Sequence, residues 1–209
     1  MVAAGSSHAD RTKAPASQVN AAGSSRRNTR RAGGSLLDQA VAANEALLEH
    51  ASLTTTEGFA TGLLGRLDLR TGRLALVNAG HVSPYLCRAG AVTPVELPVN
   101  LPMGMFADTK YRSTDLDLEP GDRLVLVTDG MLERNASTLD LIAEISLSRA
   151  LHPREATRRL TDKVLETCQP ALADDATMLV LDWHGEHGGE RTTLSGAEPS
   201  LASAATPQP

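Results

Sequence analysis

Four consecutive apolar residues, Leu124-Val125-Leu126-Val127, run straight into Thr128-Asp129-Gly130 and are preceded by Glu119-Pro120-Gly121-Asp122. A short apolar run bounded by turn signals is the pattern of a strand buried on both faces. Such a strand needs a covering layer on either side, so it belongs inside a layered fold. The chain then puts a carboxylate at the end of a rigid element, and Gly130 leaves room for close approach. Taken alone, a strand-end aspartate serves as readily to cap the following turn.

The residues around this strand fit helices stacked on a largely antiparallel sheet. Ser35 caps a helix running to about Ala51, with Leu36, Ala40, Ala43 and Leu47 at helical spacing. Phe59 to Leu69 alternates, turns at Arg70-Thr71-Gly72, and returns as Leu74–Asn78. Short strands follow at Pro84–Arg88 and Val92–Val95, then a loop from Leu97 to Thr109. Thr114–Leu118 and Arg123–Thr128 read as a hairpin across Pro120-Gly121. Two helices, Leu139–Ala150 and Pro153–Cys168, and a last strand, Thr177–Leu181, complete an α+β layout.

The flanks are different. Residues 1–25 and 185–209 are rich in small and polar residues without periodicity and read as a disordered arm and tail. One domain is expected over 26–184, and 209 residues suffice to bury a core. Residues 1–31 hold six basic groups against one acid, a local net of +5 that the remainder outweighs, since the whole chain carries −5. That balance gives no footprint for nucleic acid, and no apolar run approaches the roughly 20 residues of a membrane span. No secretory signal opens the chain, so a cytoplasmic location is expected. Two cysteines, Cys87 and Cys168, exclude a disulfide framework and a cysteine zinc module, and five aromatics are too few for a stacking platform.

Two more segments carry candidate chemistry. In Ala173-Asp174-Asp175-Ala176-Thr177 two carboxylates precede an apolar strand. Alternation sends Asp174 and Asp175 to opposite faces, so at most one joins Asp129 in a common site. Carboxylates at two strand ends suit a hard divalent cation such as Mg²⁺ or Mn²⁺, though each pair alone fits a solvated turn. In Asn78-Ala79-Gly80-His81 the histidine reads as a ligand, an acid or a hydrogen-bonded structural residue. A serine-nucleophile elbow, a Walker phosphate loop and a dinucleotide glycine fingerprint are absent.

Together, Phe59-Ala60-Thr61-Gly62-Leu63-Leu64-Gly65, Val77-Asn78-Ala79-Gly80-His81, Leu118-Glu119-Pro120-Gly121-Asp122-Arg123 leading to Thr128-Asp129-Gly130, and Asp174-Asp175-Ala176-Thr177 resemble the PPM-type (PP2C-like) metal-dependent serine/threonine phosphatases. The nearest branch is the bacterial one named for the sporulation stage II protein E. The resemblance implies a β-sandwich flanked by helices in α-β-β-α layers, with a two-ion Mn²⁺ or Mg²⁺ site at one end. There a metal-activated water attacks phosphoserine or phosphothreonine without a covalent intermediate. It implies Asp129 and Asp174 as metal ligands, Asp175 as the weaker candidate of its pair, and Gly80, His81 and Gly130 as supporting residues. The implied partner is a regulatory phosphoprotein of the anti-sigma-factor antagonist type.

One half of the family pattern has no match. Members carry a Gly-Gly-Asp segment on a first strand and an Asp-x-x-Gly-His-Gly segment opening a helix. Here Gly33-Gly34 leads to Ser35, and His8-Ala9-Asp10 lacks the surrounding strand and glycines. The chain is therefore expected to be the C-terminal part of such a domain, with at most a partial metal site and little or no turnover. The alternative function is binding of a regulatory phosphoprotein without catalysis.

Overall fold

The computed structural model describes residues 2–5, 24–25, 28–29, 32–54, 58–131, 140–167 and 176–185. In chain order they form β1 (Val2–Gly5), α1 (Leu36–Thr54), β2 (Thr61–Leu67), β3 (Arg73–Ala79), β4 (Tyr85–Arg88), β5 (Ala91–Pro94), β6 (Val99–Asn100), β7 (Thr114–Asp117), β8 (Arg123–Val127), a 3₁₀ turn (Asp129–Met131), α2 (Leu141–Leu147), α3 (Pro153–Thr167) and β9 (Met178–Asp182). Among the described residues no helix is long and apolar enough to cross a membrane.

Two sheets form the sandwich. The first has the order β1-β2-β3-β6, with β7 also pairing β3; the second runs β5-β4-β8-β9. Alternation along β8 explains why all five of its residues are buried. Leu124 and Leu126 face the first sheet, meeting Leu63, Leu74, Leu76 and Leu118. Val125 and Val127 face the other way, onto Ile145 of α2 and Leu160 and Val164 of α3. On the far side, Leu36, Ala40, Ala43 and Leu47 of α1 cover Leu64, Val77 and Ala79. The result is the expected α-β-β-α stack.

The cap of α1 is reciprocal. Ser35 Oγ accepts the Asp38 N–H at 3.1 Å, and an Asp38 carboxylate oxygen accepts the Ser35 N–H at 2.8 Å. This satisfies donors that the first helical turn otherwise leaves bare. Pro153 opens α3 at its first position, where a missing N–H costs nothing.

Three sequence expectations are corrected. β7 and β8 are not a hairpin: β7 pairs β3 in one sheet, and β8 pairs β4 and β9 in the other. Residues 119–122 form an arch between sheets. It is pinned by Gly121 N–H to the Trp183 carbonyl and Trp183 N–H to the Asp122 carbonyl, both 2.8 Å. The buried Asp122 carboxylate accepts the Glu119 N–H and a bidentate grip from Arg88. Within the loop expected over 97–109, Val99–Asn100 pairs in parallel with β3. Finally, Val2–Gly5 lies in the stretch expected to be disordered, yet it is a strand, antiparallel to β2 with Ala4 opposite Gly62.

Candidate functional site

β8 and β9 run antiparallel with Val127 opposite Met178. Their pairing extends one step further through side chain as well as backbone. Thr128 N–H donates to the Thr177 carbonyl at 3.0 Å, and Thr177 N–H donates to Thr128 Oγ1 at 2.8 Å. Asp129 is the first residue past this clamp. It opens the 3₁₀ turn, is half-buried, and one of its carboxylate oxygens accepts the Gly130 N–H at 3.1 Å. Gly130 is buried behind it. The turn-capping and site-forming roles of Asp129 are thus compatible, because only one oxygen is used locally. Asp174 and Asp175 lie outside the described residues.

The end of β3 reaches the same place from the other sheet. Asn78 is buried, and its side chain closes the turn that follows. Oδ1 accepts the His81 N–H at 2.7 Å, and Nδ2 donates to the His81 carbonyl at 2.9 Å. Gly80 has φ +71°, a conformation that L side chains rarely adopt, and an added Cβ there would stand 2.9 Å from Pro102 Cγ. This tight turn brings the buried His81 to the end of β8, where its neighbour Val82 packs against the cluster that holds Val127 and Met131.

The His81 ring nitrogen Nε2 is buried with no hydrogen-bond partner among the described residues. Burial pushes the imidazole below its usual pKa, against the opposing pull of the Asp129 charge and the Val127 carbonyl. The ring is uncharged at neutral pH. Leaving a buried ring nitrogen unpaired costs about 1–3 kcal/mol, which functional sites tolerate more than cores do.

Among the described residues no three His, Cys, Asp or Glu gather as a metal cluster. What the site offers is one hard carboxylate, of which one oxygen takes the Gly130 N–H and the other has no partner among the described residues, and a buried imidazole nitrogen. That donor set fits a hydrated Mg²⁺ or Mn²⁺ held through few protein oxygens. It does not by itself clamp two ions. Asp129, Gly130, Gly80 and His81 are brought together at one end of the sandwich.

The sequence reading missed the asparagines that build this end. Asn100 is buried, donates to the Asn78 carbonyl at 2.9 Å and accepts the Arg112 N–H at 2.9 Å. Asn44 on α1 accepts the Gly104 N–H at 2.8 Å and donates to the Phe106 carbonyl at 3.0 Å, fixing the loop whose Pro102 backs Gly80. Asn44 does interrupt the apolar stripe of α1, a visible signal that a buried polar group there needed partners. At the opposite end of β8, Arg123 forms a buried bidentate pair with Asp182 at 2.6 and 2.9 Å and donates to the Ser148 and Leu151 carbonyls.

Comparisons with known proteins agree with this geometry. The family model for stage II sporulation protein E (SpoIIE) matches residues 16–184. The phosphoserine phosphatase RsbP of Bacillus subtilis is 31% identical over 132 residues, covering 59% of this chain and 31% of RsbP. The chain spans less than a third of the length of the curated relatives it matches. Among solved structures, the SiaA-PP2C domain of Pseudomonas aeruginosa superposes with TM-score 0.66 at 20% identity, covering 80% of this chain and 69% of that one. The PP2C phosphatase domain of SpoIIE from B. subtilis, solved with a fragment of its regulatory domain, gives 0.62 at 20% identity, covering 86% and 57%. These likenesses carry the fold.

Proposed function

We infer the function from one premise: this chain belongs to the stage II sporulation protein E family of PP2C-type phosphatases. The reading is a metal-dependent serine/threonine phosphatase domain that hydrolyses phosphoserine or phosphothreonine on a bacterial regulatory protein. The observation that carries it is Asp129, set at a strand end by the Thr128–Thr177 clamp, with one carboxylate oxygen that takes no partner among the described residues.

In this reading Asp129 holds Mn²⁺ or Mg²⁺, and Asp174, ahead of Asp175, is the candidate for a further carboxylate. When bound, such a cation withdraws charge from phosphoryl oxygens and makes water a nucleophile at neutral pH. The chain's own groups orient. Gly80 turns the backbone, Asn78 holds His81 in the turn that follows, and Gly130 holds one Asp129 oxygen so that the other is presented. The substrate in this reading is a phosphoprotein of the anti-sigma-factor antagonist type, and the name of RsbP, a phosphoserine phosphatase, supports phosphoserine as the group removed. Hydrolysis is slow in this reading, because the sequence carries no match to the family's Gly-Gly-Asp and Asp-x-x-Gly-His-Gly segments.

The absence of a three-ligand cluster among the described residues favours a second reading, in which the domain binds its phosphoprotein without turnover. A phosphoserine peptide incubated with the full chain and Mn²⁺ separates the two. Phosphate release that Asp129→Asn abolishes supports the phosphatase. Binding of the peptide with no release supports the second reading instead.

A further inference from the structure

The loop from Val99 to Arg112 is held at base and tip by buried asparagines. At the base, Asn100 donates to the Asn78 carbonyl of β3 at 2.9 Å and to the Arg112 carbonyl at 3.1 Å, and accepts the Arg112 N–H at 2.9 Å. At the tip, Asn44 of α1 accepts the Gly104 N–H at 2.8 Å and donates to the Phe106 carbonyl at 3.0 Å. Met103 and Tyr111 turn inward and join the cluster under α1. Val99, Leu101 and Phe106 do the opposite, and are 68%, 48% and 56% exposed. Alternation about the buried Asn100 sends Val99 and Leu101 to the same outer face. Apolar residues exposed singly are ordinary, but among the described residues no other stretch of eight exposes three large ones. A loop pinned in this way has no freedom to turn them inward, which is how rigid scaffolds present binding residues.

The loop also borders the candidate site. Pro102, next to Leu101, stands 2.9 Å from where a Cβ on Gly80 would be, and Met103 exchanges backbone hydrogen bonds of 2.8 Å with Ala60. The exposed apolar face is thus continuous with the end of the sandwich that carries Gly80-His81. We propose that Val99, Leu101 and Phe106 form a docking surface for a phosphoprotein segment that carries apolar side chains beside its phosphoserine. Phosphoserine as the neighbouring group rests on the phosphatase reading, whereas the apolar preference rests on the loop. Covering these side chains adds affinity in proportion to the apolar area removed from water, whatever becomes of the phosphoryl group. Binding is therefore the measurement.

Two short peptides of equal charge are compared, with leucines or serines on either side of the modified serine and a hydrolysis-resistant phosphonate in place of the phosphate. Each is titrated by fluorescence anisotropy against the full chain with Mn²⁺. The parent is expected to prefer the leucine peptide by about tenfold. The double variant Leu101→Ser with Phe106→Ser is expected to lose that preference while keeping its urea midpoint and its affinity for the serine peptide. Equal affinity of the parent for both peptides, or none, overturns the proposal, as does a preference that survives in the double variant. Should the double variant not fold, Val99→Ser, at the most exposed of the three positions, decides in the same way. A parent that sediments as a dimer and a double variant that sediments as a monomer assign the face to a second copy and overturn the proposal. Leucine-peptide binding that needs neither the phosphonate nor Asp129 sinks the phosphatase reading, while loss of the preference in the double variant still upholds the apolar surface.

Discussion

At Gly80 a methyl group meets two penalties at once. The φ of +71° puts a Cβ against its own backbone, and Pro102 Cγ already stands 2.9 Å from where that Cβ would be. Left-handed backbone costs about 1–2 kcal/mol and forced overpacking about 1–3 kcal/mol. Gly80→Ala is therefore expected to lower stability by about 2–4 kcal/mol in urea denaturation, and a loss within about 0.5 kcal/mol refutes the steric account. Burial likewise pushes the Tyr111 phenol up to about 12 from 10.0. The phenol is protonated in both states below pH 10, so its contribution is complete there. Above pH 10 the unfolded chain loses the proton first, and stability falls as pH rises toward 12, by about 2–3 kcal/mol over the two units. Phenolate absorbance of Tyr111 is expected to appear together with unfolding, which Tyr111→Phe, lacking the ionisation, delays. Gly80 and His81 were legible as a motif because glycine before a functional residue is a local signal. Asn78 was not, since its staple depends on a turn geometry that sequence does not print.

Elements show the same division between local and distant causes. The α1 cap was legible from Ser35 because its chemistry closes within three residues. The β7–β8 connection was misread because Pro120-Gly121 marks a tight reversal equally well within a sheet or between two. What decides is the set of partners, β3 for one strand and β4 with β9 for the other, and these lie tens of residues away. The arch then delivers Arg123, 3% exposed at its side chain, onto Asp182, 2% exposed. Replacing Arg123 by Met takes from a buried carboxylate and two carbonyls the guanidinium donors they share, an expected loss of about 3–5 kcal/mol in denaturation. Pairing it with Asp182→Leu removes both charges and is expected to recover a good part of that loss. A double variant no more stable than Arg123→Met contradicts the view that the stranded charge, rather than lost packing, is the cost.

For the whole molecule, the layers follow from periodicity, and the site follows from where the layers end. Strands β3 and β8 come from different sheets, yet both finish at the same edge of the sandwich, so Gly80-His81 and Asp129-Gly130 meet without being neighbours in sequence. That meeting was expected only through resemblance, because no periodicity relates the two segments. How well the meeting place holds a cation can be weighed by linkage. A ligand that binds only the folded state stabilises it by RT ln(1 + [L]/Kd). A site with full ligation and a micromolar Kd gains about 4 kcal/mol from 1 mM Mn²⁺, roughly a 10 °C rise for a domain of this size. A site resting on one strand-end carboxylate, with a Kd near millimolar, gains only about 0.4 kcal/mol, a shift of about 1 °C. The single carboxylate among the described residues of this end favours the smaller figure. Thermal denaturation with and without 1 mM Mn²⁺ is therefore expected to move by about 1 °C, and not at all in Asp129→Asn. A rise near 10 °C would mean that Asp174 or Asp175 joins Asp129 to complete the site, and phosphoserine turnover would then be expected to be fast rather than slow.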